Sequence, residues 1–215
     1  MSSFFALRQS ISSGLSMAMC GIPWWNSDIG GFFSGDTESK TFRELIVRWF
    51  QFGLFCPIMR LHGTRLNQSY YVDEAPDVMV KGGGYNEIWH FGDENYPVLK
   101  KLIETREKMR PYTLAIAKEA SENGSPMMRP MFYEFPQDKK CYELWDQYMF
   151  GGDILFAPIY NEGQTEREVY LPEGEWICVL DKKEYAGGQT LSMHAEVSEY
   201  IAFVKKGSDV LNAFI

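Results

Sequence analysis

Twice before Gly63 the chain repeats one pattern: a segment of helical periodicity, a short apolar run, then polar sequence rich in glycine. In the first pass Phe4, Leu7, Ile11 and Leu15 recur at spacings of three and four, which predicts a helix over residues 4–16. Residues 17–22 are apolar and stop at Pro23, the pattern of a buried strand delivering a loop over residues 24–35. The second pass predicts a helix over residues 41–53, opened by a Thr41–Glu44 capping box and braced by a Glu44–Arg48 ion pair. An apolar strand over residues 54–59 follows and ends at Arg60 and His62. Alternation of this kind builds parallel sheets and barrels, because parallel neighbours need a crossover between them.

The second half reads differently. Residues 64–92 show little periodicity and include Gly82, Gly83 and Gly84, which predicts a long surface loop. Residues 95–121 predict a helix with Val98, Leu99, Leu102, Ile103 and Met109 on one side, kinked or split at Pro111 and stopped by Asn123–Gly124. After Pro126 come short runs at 153–159, 167–171, 176–180 and 200–204, punctuated by Pro136, Gly151, Gly152, Pro172 and Gly174. These predict an antiparallel β domain. The expected organisation is α/β over residues 1–124 and all-β over residues 125–215.

Composition narrows the function more by exclusion than by choice. The formal charge of -8 and isoelectric point near 5.0 disfavour nucleic acid as a partner, since no basic field exists to attract it. No run reaches the roughly 18 apolar residues of a membrane span, so no membrane partner is expected. No signal peptide is visible, which favours the cytoplasm. Cys20, Cys56, Cys141 and Cys178 form no CxxC and are expected to be buried free thiols. His62, His90 and His194 lack ligand spacing, so neither a metal nor another cofactor is expected. Gly82–Gly84 has no preceding strand and no following Lys-Ser or Lys-Thr, and no GxSxG elbow occurs.

In parallel barrels, chemistry sits at the C-terminal ends of strands. Asp28 on the first strand, and Arg60 and His62 on the second, hold that position. Either a ligand site or an ordinary loop carboxylate with a structural histidine accounts for them. Trp24 and Trp25 add an aromatic component. A sugar presents apolar C–H faces inside a rim of hydroxyls, so its site needs an aromatic wall and a few fixed polar groups. One of the two tryptophans can equally be core.

Several ordered motifs resemble glycoside hydrolase family 31. They are Ser13-Gly14-Leu15, then Gly21-Ile22-Pro23-Trp24-Trp25-Asn26-Ser27-Asp28-Ile29-Gly30-Gly31-Phe32, then Glu44 through Gly63 with Arg48-Trp49-Phe50-Gln51-Phe52-Gly53 and Arg60-Leu61-His62-Gly63. Arg106 with Met109-Arg110-Pro111-Tyr112, Gly151 through Pro158, and Tyr170 through Trp176 continue the match. The resemblance implies a retaining α-glycosidase fold: an incomplete (β/α)8 TIM barrel, its last two strands with their helices, followed by a C-terminal antiparallel β-sandwich. It implies that Asp28 lines the pocket and holds a neighbouring Arg, that His62 hydrogen-bonds sugar hydroxyls and that Arg60 braces the pocket. Asn86-Glu87-Ile88-Trp89 resembles the branch with α-xylosidases and bacterial α-glucosidases.

The same resemblance places the nucleophile in a WxDMNE-like segment and the acid/base Asp just before the first helix, and neither segment is in these 215 residues. The expected partner is an α-linked oligosaccharide or glycoside, with a complementary N-terminal chain to supply the chemistry. The alternative is a non-catalytic carbohydrate-binding or degenerate structural chain. Two strands cannot close a barrel, so residues 1–120 are expected to be less stable by themselves than the β domain.

Overall fold

The computed structural model describes residues 1–65 and 83–214. Helix α1 (Phe4–Met19) buries the predicted stripe of Leu7, Ile11 and Leu15, and its first turn is capped by Ser3, which accepts from the Ala6 N–H at 3.2 Å. It runs three residues beyond the predicted end. The strand expected over residues 17–22 is therefore absent: Met17, Ala18 and Met19 are good helix formers and complete the helix. Gly21, at φ +78°, turns the chain away from it.

Helix α2 (Lys40–Leu54) starts from Ser39, whose hydroxyl accepts from the Phe42 N–H at 3.1 Å. Thr41, the predicted cap, instead donates its hydroxyl to Glu162 at 2.5 Å. Every residue from Leu45 to Leu54 is buried. That burial overturns the predicted Glu44–Arg48 pair. Glu44 accepts from the Gly163 N–H at 2.9 Å, while Arg48 donates inward to the carbonyls of Glu199, Glu196 and Gln164 at 3.0, 3.1 and 3.1 Å. An i,i+4 pair is a feature of helix surfaces, and Arg48 is not on one. No strand covers residues 54–59 either, because Phe55 and Cys56 prolong the helix end as turns, their N–H groups donating to Phe52 and Gly53.

Among the described residues, parallel pairing survives as two isolated bridges, Ile29 with Leu61 and Phe33 with Thr64. Most of the loop predicted over residues 64–92, Gly82 included, lies outside the described residues. Beyond it, the predicted long helix is split as expected into α3 (Tyr96–Lys108) and α4 (Arg110–Asn123), with Met109 at the break and Pro111 in the first turn of α4. Gly124 ends α4 in the left-handed region at φ +72°, its N–H donating to Ala120.

The remaining chain is mostly strands: β1 (Met128–Pro130), a short helix α5 (Met131–Glu134), β2 (Tyr148–Phe150), β3 (Ile154–Ala157), β4 (Glu166–Leu171), β5 (Glu175–Cys178), β6 (Glu184–Ala186), β7 (Gln189–His194) and β8 (Ile201–Lys205). Six form one antiparallel sheet in the order β1-β2-β3-β8-β5-β6, and β4 pairs with β7 as a separate ribbon. The four predicted strands correspond to β3, β4, β5 and β8.

The six-stranded sheet is covered on both faces. Tyr148, Phe150, Ile154, Phe156, Ala202 and Val204 face the helices. Met149, Leu155, Ala157, Trp176 and Phe203 face the ribbon through Val169, Leu171 and Met193. One cluster of buried side chains therefore runs from the helices onto this sheet, across Gly124. Phe55 lies 4.3 Å from Phe156 between ring centroids, and Arg106 donates to the carbonyls of Leu54 and Pro57 at 2.7 and 2.9 Å. Cys56, Cys141 and Cys178 are buried as predicted. Cys20, at the end of α1, is exposed because the strand expected to bury it does not form.

Candidate functional site

The loop between α1 and α2 is assembled around a buried arginine. Arg65 donates to the carbonyls of Gly31, Ile29 and Ser34 at 2.7, 2.9 and 3.2 Å, and to the side-chain oxygen of Asn86 at 2.7 Å. A planar fork is what allows one side chain to satisfy carbonyls on both sides of a turn. Gly30, at φ +81°, is required here, since a Cβ would overlap Ile46 and the Arg65 guanidinium. Burial pushes Arg65 down to about 10 while the charge of Asp28 pulls it back up, so the guanidinium stays charged at neutral pH.

On that scaffold, Asp28 and Arg60 meet at 3.7 Å across the Ile29–Leu61 bridge. The Asn26 amide donates to Asp28 at 3.3 Å. The Asp28 side chain is 20% exposed and that of Arg60 48% exposed, so the pair opens to solvent and contributes little to folding. It fixes two side chains at a surface. His62 is exposed, its ring 5.3 Å from that of Phe32. Gly63 lies so close to Gly31 and Phe32 that no side chain fits there.

The two tryptophans separate. Trp25 is 8% exposed and packs over Gly14 and against Phe52, so it is core. Trp24 is 47% exposed and remains the candidate aromatic wall. Behind them, the Trp49 indole N–H donates to the Ser27 hydroxyl at 2.9 Å, bracing the segment that leads to Asp28. Of the five candidates, Asp28 and Arg60 are brought into contact, His62 lies two residues beyond Arg60 on the same bridged segment, and Trp25 turns inward. Arg65 and Asn86 were not legible as site residues. Their role depends on carbonyls and a loop distant in sequence, and nothing local marks it.

A carboxylate, a guanidinium, an imidazole and an exposed indole suit a polyhydroxylated ligand with one apolar face. The single carboxylate among them cannot serve as both nucleophile and acid/base. A helical portion joined by parallel bridges and followed by an antiparallel sheet is the arrangement expected for the end of a TIM barrel leading into a β domain.

Sequence comparison puts a family to that arrangement. Residues 1–116 match the glycosyl hydrolases family 31 TIM-barrel domain and residues 124–210 match the glycosyl hydrolase family 31 C-terminal domain, so the chain belongs to glycosyl hydrolase family 31. It is similar to the isomaltosyltransferase of Sporosarcina globispora, with 36% identity over 96% of this chain and 18% of that protein. It is equally similar to an α-xylosidase of Saccharolobus solfataricus, with 36% identity over 94% of this chain and 25% of that protein. A family 31 α-xylosidase from a soil metagenome, solved with xylose, superposes with a TM-score of 0.91 at 41% identity, over 100% of this chain and 32% of that one. The chain thus spans about a fifth to a quarter of the length of these curated relatives. The expected fold, part of a TIM barrel followed by an antiparallel β domain, is the observed one.

Proposed function

We propose that these residues form the sugar-holding part of a retaining α-glycosidase that releases terminal α-linked glucose or xylose. In this reading residues 1–124 belong to the catalytic barrel and residues 125–215 to the β domain that follows it. Asp28 and His62 accept and donate to the hydroxyls of the bound sugar, Arg60 orients Asp28, and Trp24 covers an apolar face of the ring. Trp25 supports the site from the core and does not touch the sugar. The observation that carries the reading is the Asp28–Arg60 pair at 3.7 Å, held open to solvent on two bridged segments. The similarity to α-xylosidases, one of them solved with xylose, supports the choice of ligand.

Retaining hydrolysis needs a nucleophile and an acid/base carboxylate roughly 5–5.5 Å apart. The reading assigns neither role to any of the 29 acidic residues present. A complementary N-terminal chain carrying those two carboxylates is the partner it calls for. The test is hydrolysis of an aryl α-glucoside and an aryl α-xyloside by the purified 215-residue chain, together with a fluorescence titration with glucose and xylose. Sugar binding without turnover is expected. Robust turnover that Asp28→Asn abolishes would overturn the assignment of roles, and no binding of either sugar would overturn the site itself.

A further inference from the structure

A cavity of about 670 Å³ opens where α3, the turn between β5 and β6 and the closing 3-10 helix (Asp209–Phe214) meet. None of Trp24, Asp28, Arg60 and His62 lines it. Its floor is apolar, with Leu102 and Val179 buried and Tyr200 and Phe214 half-buried beside them. Its rim carries two cations, Lys101 from α3 and Lys182 from the turn. A concave apolar surface of this size with a few converging polar groups has the make-up of a small-molecule site.

The polar groups here are left unsatisfied by the protein itself. The nearby carboxylates are engaged elsewhere: Glu104 pairs with Lys100 at 3.8 Å, Asp181 with Lys183 at 3.6 Å, and Glu199 accepts from the Glu196 N–H at 3.0 Å. Among the described residues, no carboxylate lies within ion-pair distance of Lys101 or Lys182. Lys182 stands at φ +62°, in the left-handed region that favours glycine, and donates to the Phe214 carbonyl at 2.6 Å. Two of its three N–H groups remain. Burial lowers the pKa of Lys182 and the charge of Lys101 lowers it further, so the two ammonium groups repel one another across the rim. Burial alone raises the Tyr200 hydroxyl above its ordinary range, with no hydrogen bond or charge adding to the shift. That hydroxyl is a neutral donor without a partner among the described residues.

We propose that this cavity binds a small amphipathic anion, its aryl or short acyl body seated on Leu102, Val179 and Phe214 and its carboxylate or phosphate head between Lys101 and Lys182. An apolar floor alone would accept any hydrophobe, and two lysines alone any anion. Side by side they select a ligand that has both parts, and an anion between the lysines replaces their repulsion with two charge-assisted hydrogen bonds. Such a ligand touches α3 and the turn between β5 and β6 at once, so it ties the helical portion to the sheet. The inference does not depend on the sugar-holding reading.

The test is an amide-detected NMR titration of the full 215-residue chain with phenyl phosphate and with 4-phenylbutyrate, using inorganic phosphate and benzyl alcohol as the head and the body alone. At least one amphipathic probe is expected to shift amides at residues 101–105 and 179–182 and to bind about tenfold more tightly than either half, and the tighter of the two identifies the head group. Lys101→Gln and Lys182→Gln are each expected to weaken binding about tenfold, the loss of one charge-assisted hydrogen bond. Tyr200→Phe, which removes a hydroxyl that no described residue uses, is expected to weaken it about threefold. Lys101 is exposed on α3, so Lys101→Gln decides the matter if Lys182→Gln fails to fold. No shift at those amides with either probe, or unchanged affinity in Lys101→Gln, overturns the proposal. Inorganic phosphate or benzyl alcohol binding as tightly as the amphipathic probes overturns it too, because the cavity then recognises charge or apolar surface alone.

Discussion

The phenolic hydroxyl of Tyr148 in β2 donates to the main-chain carbonyl of Phe55, just past the end of α2, at 3.1 Å. Both residues are fully buried, and burial raises the Tyr148 hydroxyl well above its ordinary pKa, so it keeps its proton as donor. Tyr148→Phe leaves the Phe55 carbonyl buried without this donor, at an expected cost of about 1–3 kcal/mol. Because the bond joins the helical portion to the sheet, amides of α2 and β3 should both lose protection in hydrogen exchange. Loss confined to α2, with β3 unchanged, would restore the simpler expectation that residues 1–120 are weak and the β domain independent.

That shared core also shows where the sequence was readable. The stripe Leu7, Ile11 and Leu15, the break at Met109 and the stop at Gly124 were legible because each rests on residues within a turn or two. Asp28 and Arg60 were read as lying at the ends of two successive strands; those strands do not form, yet the Ile29–Leu61 bridge still brings the two side chains together. Arg48 and Arg65 were not legible, since their acceptors lie at residues 164–199 and 29–34. A guanidinium serving distant carbonyls leaves no periodic trace. The strands β1, β2 and β6 are three residues each, too short to display alternation, and β7 is largely exposed. The helical run to Met19 was misread because Met and Ala are apolar in either kind of element.

Buried thiols set an alkaline limit to stability. Burial, with the nearby Asp138, pushes Cys141 up to about 12, and burial pushes Cys178 up to about 11, from an ordinary 9.0; Cys56 is raised further. In the unfolded chain these thiols lose protons as pH passes about 9, while in the fold they do not. The folded state then binds more protons than the unfolded one, so stability falls as pH rises from about 9 towards the folded values. Arg48 and Arg65, lowered to about 10 by burial, act in the opposite sense, but only above that pH. The urea midpoint should therefore be lower at about pH 10 than at about pH 8, with a smaller drop in the Cys141→Ala, Cys178→Ala double variant. A midpoint that is unchanged or higher at the alkaline pH counts against this account.

Arg65 offers the sharpest separation between scaffold and site. Arg65→Lys keeps a positive charge but replaces a fork by a point, which cannot serve the carbonyls of Ile29, Gly31 and Ser34 together with Asn86. Losing one such bond is worth about 1 kcal/mol, so exchange of the amides in residues 28–35 should accelerate on the order of tenfold. Helix α2, which Arg65 does not hydrogen-bond, should keep its protection. Sugar affinity should fall as well, although Arg65 is buried and is not proposed to touch the sugar, because Asp28 loses the loop that aims it at Arg60. Unchanged exchange at residues 28–35 would mean that the glycines and the Ile29–Leu61 bridge hold the loop unaided, and Arg65 would then have no positioning role.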